Sequence, residues 1–109
     1  MWKNSRFIRT MNDTFRKTLY GGKIVLTQGI RSLPKTEIAE IMLKVSKFND
    51  FTTDNDPYKE HDYGSFECHG KNICWKIDYY DKNYEYASEN PADVTKTNRV
   101  LTIMLADEW

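Results

Sequence analysis

Five side chains packed into nine residues carry the densest chemical potential in this chain: Asp54, Asp56, Glu60, His61 and Asp62. Carboxylates and an imidazole that close together suit a hard divalent ion such as magnesium, calcium or manganese, which takes oxygen ligands. The spacing is not that of a calcium loop, because Pro57 follows Asp56 where alternating ligands and a turn glycine are needed. A structural reading is simpler. Asp54, Asn55 and Asp56 bond to their own backbone, Pro57 fixes a turn, and the loop holds itself rigid. On this reading the chain needs no metal and no cofactor; if a metal binds, these five residues are its ligands.

No nucleophile motif accompanies them. The chain has no Gly-x-Ser-x-Gly, no phosphate-binding glycine loop and no His-Glu-x-x-His. Cys68 and His69 are adjacent, and neighbours on a strand point to opposite faces, which disfavours a Cys–His dyad. No catalytic residue is assigned, and nothing singles out a carboxylate pair such as Glu60 and Asp78 for hydrolysis. The tyrosines Tyr58, Tyr63, Tyr79, Tyr80, Tyr84 and Tyr86 gather between the acidic loop and residue 86. An apolar ring with a polar tip among acids is a common interface composition. The candidate partner-binding set is therefore Glu60, Asp62, Glu67, Asp78, Tyr80, Tyr84, Glu85, Tyr86 and Glu89, with Tyr63 and Tyr79 expected to finish the core. Acids spaced in this way also resemble the charge pattern of a nucleic-acid backbone.

The elements that must position these residues follow from periodicity. Asn4 to Tyr20 predicts a helix capped by Asn4 or Ser5 and stopped by Gly21-Gly22, with an apolar stripe of Ile8, Met11, Phe15 and Leu19. Its other face, with Arg9, Asp13, Arg16 and Lys17, reads as solvated or as a contact surface for phosphates. Lys23 to Ile30 predicts a strand, with Gly29 as a bulge or its end. Pro34 to Phe48 predicts a second helix, burying Ile38, Ile41, Met42, Val45 and Phe48, with Glu40 and Lys44 as an exposed ion pair.

Ser65–His69 and Asn72–Tyr80 predict a hairpin turning at Gly70-Lys71, which pairs Cys68 with Ile73, Phe66 with Trp75 and Gly64 with Ile77. The two cysteines then project from opposite faces and stay reduced. Residues 81 to 98 form a long connection, either a functional loop or a short helix. Arg99–Ala106, apolar on both faces, predicts an interior strand beside the hairpin. The expected fold is a single α+β domain over residues 1–109. Two helices pack on a mainly antiparallel sheet of about four strands with the hairpin at its centre.

A chain of 109 residues with 39% hydrophobic and 29% charged side chains has material for one core and is too apolar for disorder. No apolar run approaches the roughly 20 residues that span a bilayer, and no apolar leader segment is evident. A bacterial cytoplasmic setting without membrane contact is expected. The zero net charge is unevenly spread. Residues 1–32 hold seven basic side chains, from Lys3 to Arg31, against one acid, and the rest carries nine against fifteen. That polarity either cancels across the fold or steers a charged partner.

The strings Asn55-Asp56-Pro57-Tyr58-x-Glu60-His61-Asp62-Tyr63-Gly64-Ser65-Phe66, Lys76-Ile77-Asp78-Tyr79-Tyr80-Asp81 and Arg99–Ala106 resemble the hallmark segments of a small bacterial family of unknown function. That family is met on alphaproteobacterial plasmids, integrated elements and phages. The likeness extends to Asn12-Asp13-x-Phe15-Arg16, Leu26-Thr27-x-Gly29 and Ser88-x-x-Pro91-Ala92-Asp93, with Lys59 standing where the family leads one to expect glycine. The resemblance carries no catalytic residues. It implies a mobile-element setting and hence an anti-defence role. The expected function is a non-enzymatic binding protein that inhibits a host defence complex, such as a CRISPR effector, through an acidic, Tyr-rich surface. The alternative is a metal-dependent enzyme or nucleic-acid-processing factor using the Asp54–Asp62 loop. Direct nucleic-acid binding through Arg6, Arg9, Arg16 and Lys17 ranks below both.

Overall fold

The computed structural model describes residues 4–109; Lys3, counted in the basic head, lies outside the described residues. In chain order the elements are α1 (Ser5–Thr18), β1 (Lys23–Leu26), α2 (Gln28–Arg31), α3 (Lys35–Lys47), β2 (Tyr63–Cys68), β3 (Lys71–Tyr80) and β4 (Asn98–Leu105), with 3₁₀ turns at Val94–Lys96 and Ala106–Glu108. The strands form one sheet in the order β1-β4-β3-β2. β1 runs parallel to β4, and the other two pairings are antiparallel. The fold is α+β. It has a third helix, the single turn α2, beyond the two expected, and the centre of the sheet is β3 with β4 while β2 lies at an edge.

The hairpin turns one residue earlier than expected, at His69-Gly70. Both residues take positive φ (52° and 76°), as the tightest two-residue turns require. Phe66 therefore faces Ile73, Gly64 faces Trp75 and Cys68 faces Lys71, a register two residues from the predicted one. A shift of two leaves every side chain on its predicted face, because the strand repeat is two. Cys68 and Cys74 are accordingly free thiols on opposite faces.

One face of the sheet holds the core. Ile73, Trp75 and Ile77 from β3 join Leu101 and Ile103 from β4 under Phe15, Ile30, Ile41 and Val45 from the three helices. β4 also buries Val100 and Met104 on the second face, which explains a strand apolar on both sides. Tyr63 belongs to that second face, where its ring meets Trp109 edge-on at 5.8 Å, and so does not finish the main core. Tyr79 does pack against it.

Several boundaries moved for identifiable reasons. α1 stops at Leu19, which takes the left-handed conformation (φ 61°) before the glycine pair is reached. Gly22 serves close approach instead: a Cβ there would lie 2.6 Å from the Arg99 carbonyl oxygen and 2.7 Å from the Phe15 ring. β1 ends at Leu26. Glu108 accepts the Gly29 N–H (2.9 Å) and the Thr27 hydroxyl (2.6 Å), and the chain coils into α2, which buries Ile30. Lys59 takes φ 58°, a conformation glycine adopts without cost.

Among the described residues Trp75 is the largest fully buried side chain, with 0% exposure. Trp75→Ala is expected to lower unfolding free energy by about 3–5 kcal/mol. A denaturant melt unchanged by the substitution would place the indole outside the core.

Candidate partner-binding surface

The buried stripe of α1 keeps Ile8 and Phe15 of the predicted apolar one, but Met11 is only half-buried and two polar residues join it. It consists of Ile8, Asn12, Phe15 and Arg16, and Leu19 is left partly exposed. Arg16, expected on the outer face, is 1% exposed. One guanidinium nitrogen donates to the carbonyls of Val45 (2.8 Å), Ser46 (3.2 Å) and Phe48 (2.8 Å), and the other donates to Asp13 (3.1 Å). Those carbonyls lie in the last turn of α3 and at its C-cap, Phe48, where acceptors outnumber helix donors (only Val45 also accepts the Phe48 N–H), so Arg16 caps α3 from outside. The guanidinium also lies over the rings of Trp75 (5.0 Å) and Phe51 (5.4 Å). Burial lowers its pKa while Asp13 opposes that shift.

Asp13 connects this cap to the acidic loop. Its carboxylate meets Nδ1 of His61 at 2.9 Å, while Nε2 of His61 faces Asp56 at 3.6 Å. The imidazole stacks flat on Phe51, with centroids 3.7 Å apart. Asp56 is itself buried and accepts the backbone N–H groups of Glu60 and His61. Asn12 donates to the Glu60 carbonyl (3.0 Å) and to the Tyr79 hydroxyl (2.8 Å), and accepts from Nε of Arg99 (2.8 Å). Tyr79 donates in turn to the Glu60 carboxylate (2.8 Å). Burial, reinforced by the charges of Asp62 and Glu60, pushes the Tyr79 hydroxyl far above its ordinary pKa and keeps it a donor.

The five loop candidates therefore do not converge on one point. Asp56, Glu60 and His61 are engaged within the fold, and Asp54 is exposed. Asp62 turns to a groove of about 650 Å³ on the second face of the sheet, lined also by Tyr63, Cys74, Lys76, Asp78 and Trp109. Burial, with Glu60 close by, raises the Asp62 pKa to about 6. Both ring nitrogens of His61 face carboxylates, an arrangement that orients the ring.

The partner-binding set also divides. Asp78 pairs with Lys76 at 2.9 Å. Glu67 shares that face, but it lies opposite Asn72, six residues from Asp78 along β3 and so roughly 20 Å away. Tyr80, Tyr84, Glu85, Tyr86 and Glu89 do belong together. The Tyr80 and Tyr84 rings sit 6.1 Å apart, and Lys23 lies 4.5 Å over Tyr84. Their loop is held by its own polar groups: Asp81 accepts the N–H groups of Asn83 and Glu85, and Ala87 bridges to Tyr80. Ser88 bonds to Thr97 (2.7 Å), and Asp93 caps the 3₁₀ turn. Tyr86 is 74% exposed on this pinned backbone, and Glu89 reaches Lys96 at 3.2 Å from solvent. Residues 81–98 are a structured loop with one 3₁₀ turn.

The basic candidates separate in the same way. Arg6 and Lys17 are exposed, Arg9 donates to the Lys59 carbonyl (3.1 Å), and Arg16 is interior. The expected Glu40–Lys44 pair gives way to Glu40–His69 at 2.9 Å. His69 lies in the turn, beyond the last residue of β2, so the alternation that would separate it from Cys68 does not apply. The Cys68 thiol also contacts Glu40, at 3.7 Å. The one sequence signal for this meeting is the glycine after His69, and placing the turn at Gly70-Lys71 passes over it.

Residues 26–108 match the family described as proteins of unknown function (DUF3768). The chain belongs to this family. No curated protein and no solved structure matches it. The family match begins at Leu26, so α1, which supplies Asn12, Asp13 and Arg16 to the loop, precedes the matched region.

Two outcomes follow from the polar interior. Arg16→Ala uncaps α3 and takes from the partly exposed Asp13 one of its two partners, and should cost about 2–4 kcal/mol; Arg9→Ala, at the surface, should change stability by less than about 0.5 kcal/mol. Equal denaturation midpoints for the two variants would contradict the clamp. Asp62 has a folded pKa above its unfolded value, so its contribution is complete below about pH 4 and lost as pH rises through about 6. Asp62→Asn should therefore stabilise the protein at pH 7, by about 1–2 kcal/mol after solvent screening, and leave it unchanged at pH 4. Melts of both proteins at the two pH values measure this.

Proposed function

We propose that this protein is a non-enzymatic binding protein of a mobile genetic element that inhibits a host defence complex, such as a CRISPR effector, by docking an acidic, tyrosine-bearing surface on it. The observation that carries the reading is the loop after β3. It displays Tyr84, Glu85, Tyr86 and Glu89 to solvent on a backbone fixed by side-chain hydrogen bonds. A preorganised loop loses little entropy on binding, and exposed tyrosines supply contact area with few rotatable bonds. The acidic body of the chain suits a partner that handles nucleic acid and is therefore basic. The mobile-element setting is what the resemblance implies, and the defence target follows from that setting.

The test is inhibition of target cleavage by a purified effector complex from a bacterium that carries such an element, with binding measured alongside. Binding should weaken steeply between 0.1 M and 1 M salt, as the Debye length falls from ~10 Å to ~3 Å. Glu85→Lys with Glu89→Lys, or Tyr86→Ala, should abolish inhibition at unchanged Tm, because exposed loop residues contribute little to stability. Arg6→Glu with Lys17→Glu should have much less effect. The reverse ranking would point to an acidic or nucleic-acid target and overturn the proposal.

A further inference from the structure

We propose that Glu40, Cys68 and His69 form a binding site for a zinc-type divalent ion, which staples α3 to the β2–β3 turn. The three donors come from two elements that are distant in sequence, and one ligand atom from each lies within 4.8 Å of the others. Nε2 of His69 is 2.9 Å from Oε1 of Glu40, and Sγ of Cys68 is 3.7 Å from Oε2. Bonds of about 2.0–2.3 Å at tetrahedral angles put neighbouring donors roughly 3.3–3.8 Å apart. The Cys68–Glu40 spacing lies inside that range and the His69–Glu40 spacing a little short of it. An ion takes the place of the carboxylate–imidazole hydrogen bond with small rotations of two half-exposed side chains.

The backbone explains how consecutive residues can share one ion. Cys68 ends β2 with its side chain on the core face, next to α3, and the left-handed conformation of His69 (φ 52°) brings the imidazole to the same carboxylate. The donor set selects the metal. A thiolate, an imidazole and a carboxylate suit a borderline-soft ion such as zinc, whereas magnesium and calcium prefer oxygen alone. Three protein donors leave a fourth position for water, on the side where Glu40 and His69 meet solvent.

The surrounding charges permit the site. Lys71 is paired with Glu37 at 3.3 Å, which offsets its repulsion of a cation, and Lys44 lies one turn along α3 from Glu40. On binding, the Cys68 S–H bond breaks, a sulfur–metal bond forms, and the proton leaves to solvent. Because binding releases that proton, affinity should weaken as pH falls.

Cobalt(II) is the probe, titrated into the reduced chain in the presence of a non-thiol reductant, with zinc as competitor. One equivalent should produce thiolate-to-cobalt charge-transfer absorption that zinc abolishes, and saturating zinc should raise Tm by several degrees. The band should persist in Cys74→Ser and vanish in both Cys68→Ser and Cys68→Ala. In Glu40→Gln and His69→Asn, the latter chosen because asparagine tolerates the left-handed turn, Kd should rise at least about tenfold. Absence of the band in the unsubstituted chain, its dependence on Cys74, or unchanged affinity in Glu40→Gln and His69→Asn would overturn the site.

Discussion

A guanidinium taken out of water needs acceptors, and the two terminal nitrogens of Arg16 find them in separate parts of the chain, while its Nε is buried without one. It closes the C-terminal turn of α3 through three carbonyls, meets the Asp13 carboxylate within its own helix, and lies over Trp75 of the sheet and Phe51 of the acidic loop. Removing such a group exposes several costs together: a carboxylate left with His61 alone, uncapped carbonyls and a void beside Trp75. α1, α3, the loop and β3 are registered to one another through this side chain. The apolar core alone would allow them more freedom, since hydrophobic contact is not directional.

From Asp13 the constraint passes to His61 and Asp56, and from Asn12 to Glu60, Tyr79 and Arg99. Apart from the longer His61–Asp56 approach, these are short, directional contacts in a partly desolvated region, where each polar group is costly to leave unmatched. The loop that looked most like a ligand site by composition is for this reason a clamp between α1 and the sheet. Its polar atoms are largely consumed in holding its own shape. Where Asp56 accepts two backbone N–H groups and His61 stacks on Phe51, the dense acidic charge does structural work.

That division leaves two regions free for contact chemistry. One is the tyrosine-bearing loop after β3, rigid in backbone and exposed in side chain. The other is the end of the hairpin, where Cys68 and His69 converge on Glu40. The first is held by turns and the second by the β2–β3 turn packed against α3, and each lies outside the network centred on Arg16. A small domain whose interior is tied down by charge-assisted hydrogen bonds can carry such exposed groups without losing its shape on binding.

Periodicity was enough to establish the α3 helix, the faces of β3 and β4, and the opposite orientation of Cys68 and Cys74, because alternation and the 3.6-residue repeat are local properties of the chain. It even survived a wrong turn assignment, since a two-residue slip of the hairpin preserves its faces. Tertiary structure alone decided that Asn12 and Arg16 point inward. No local rule buries a guanidinium, and its burial depends on carbonyls some thirty residues away at the end of α3. The same holds for the meeting of Glu40 with His69, which needs both a left-handed turn and a helix placed above it. Patterns along the chain record which residues avoid water, but which polar groups satisfy one another is settled only when distant segments are brought to within hydrogen-bond distance.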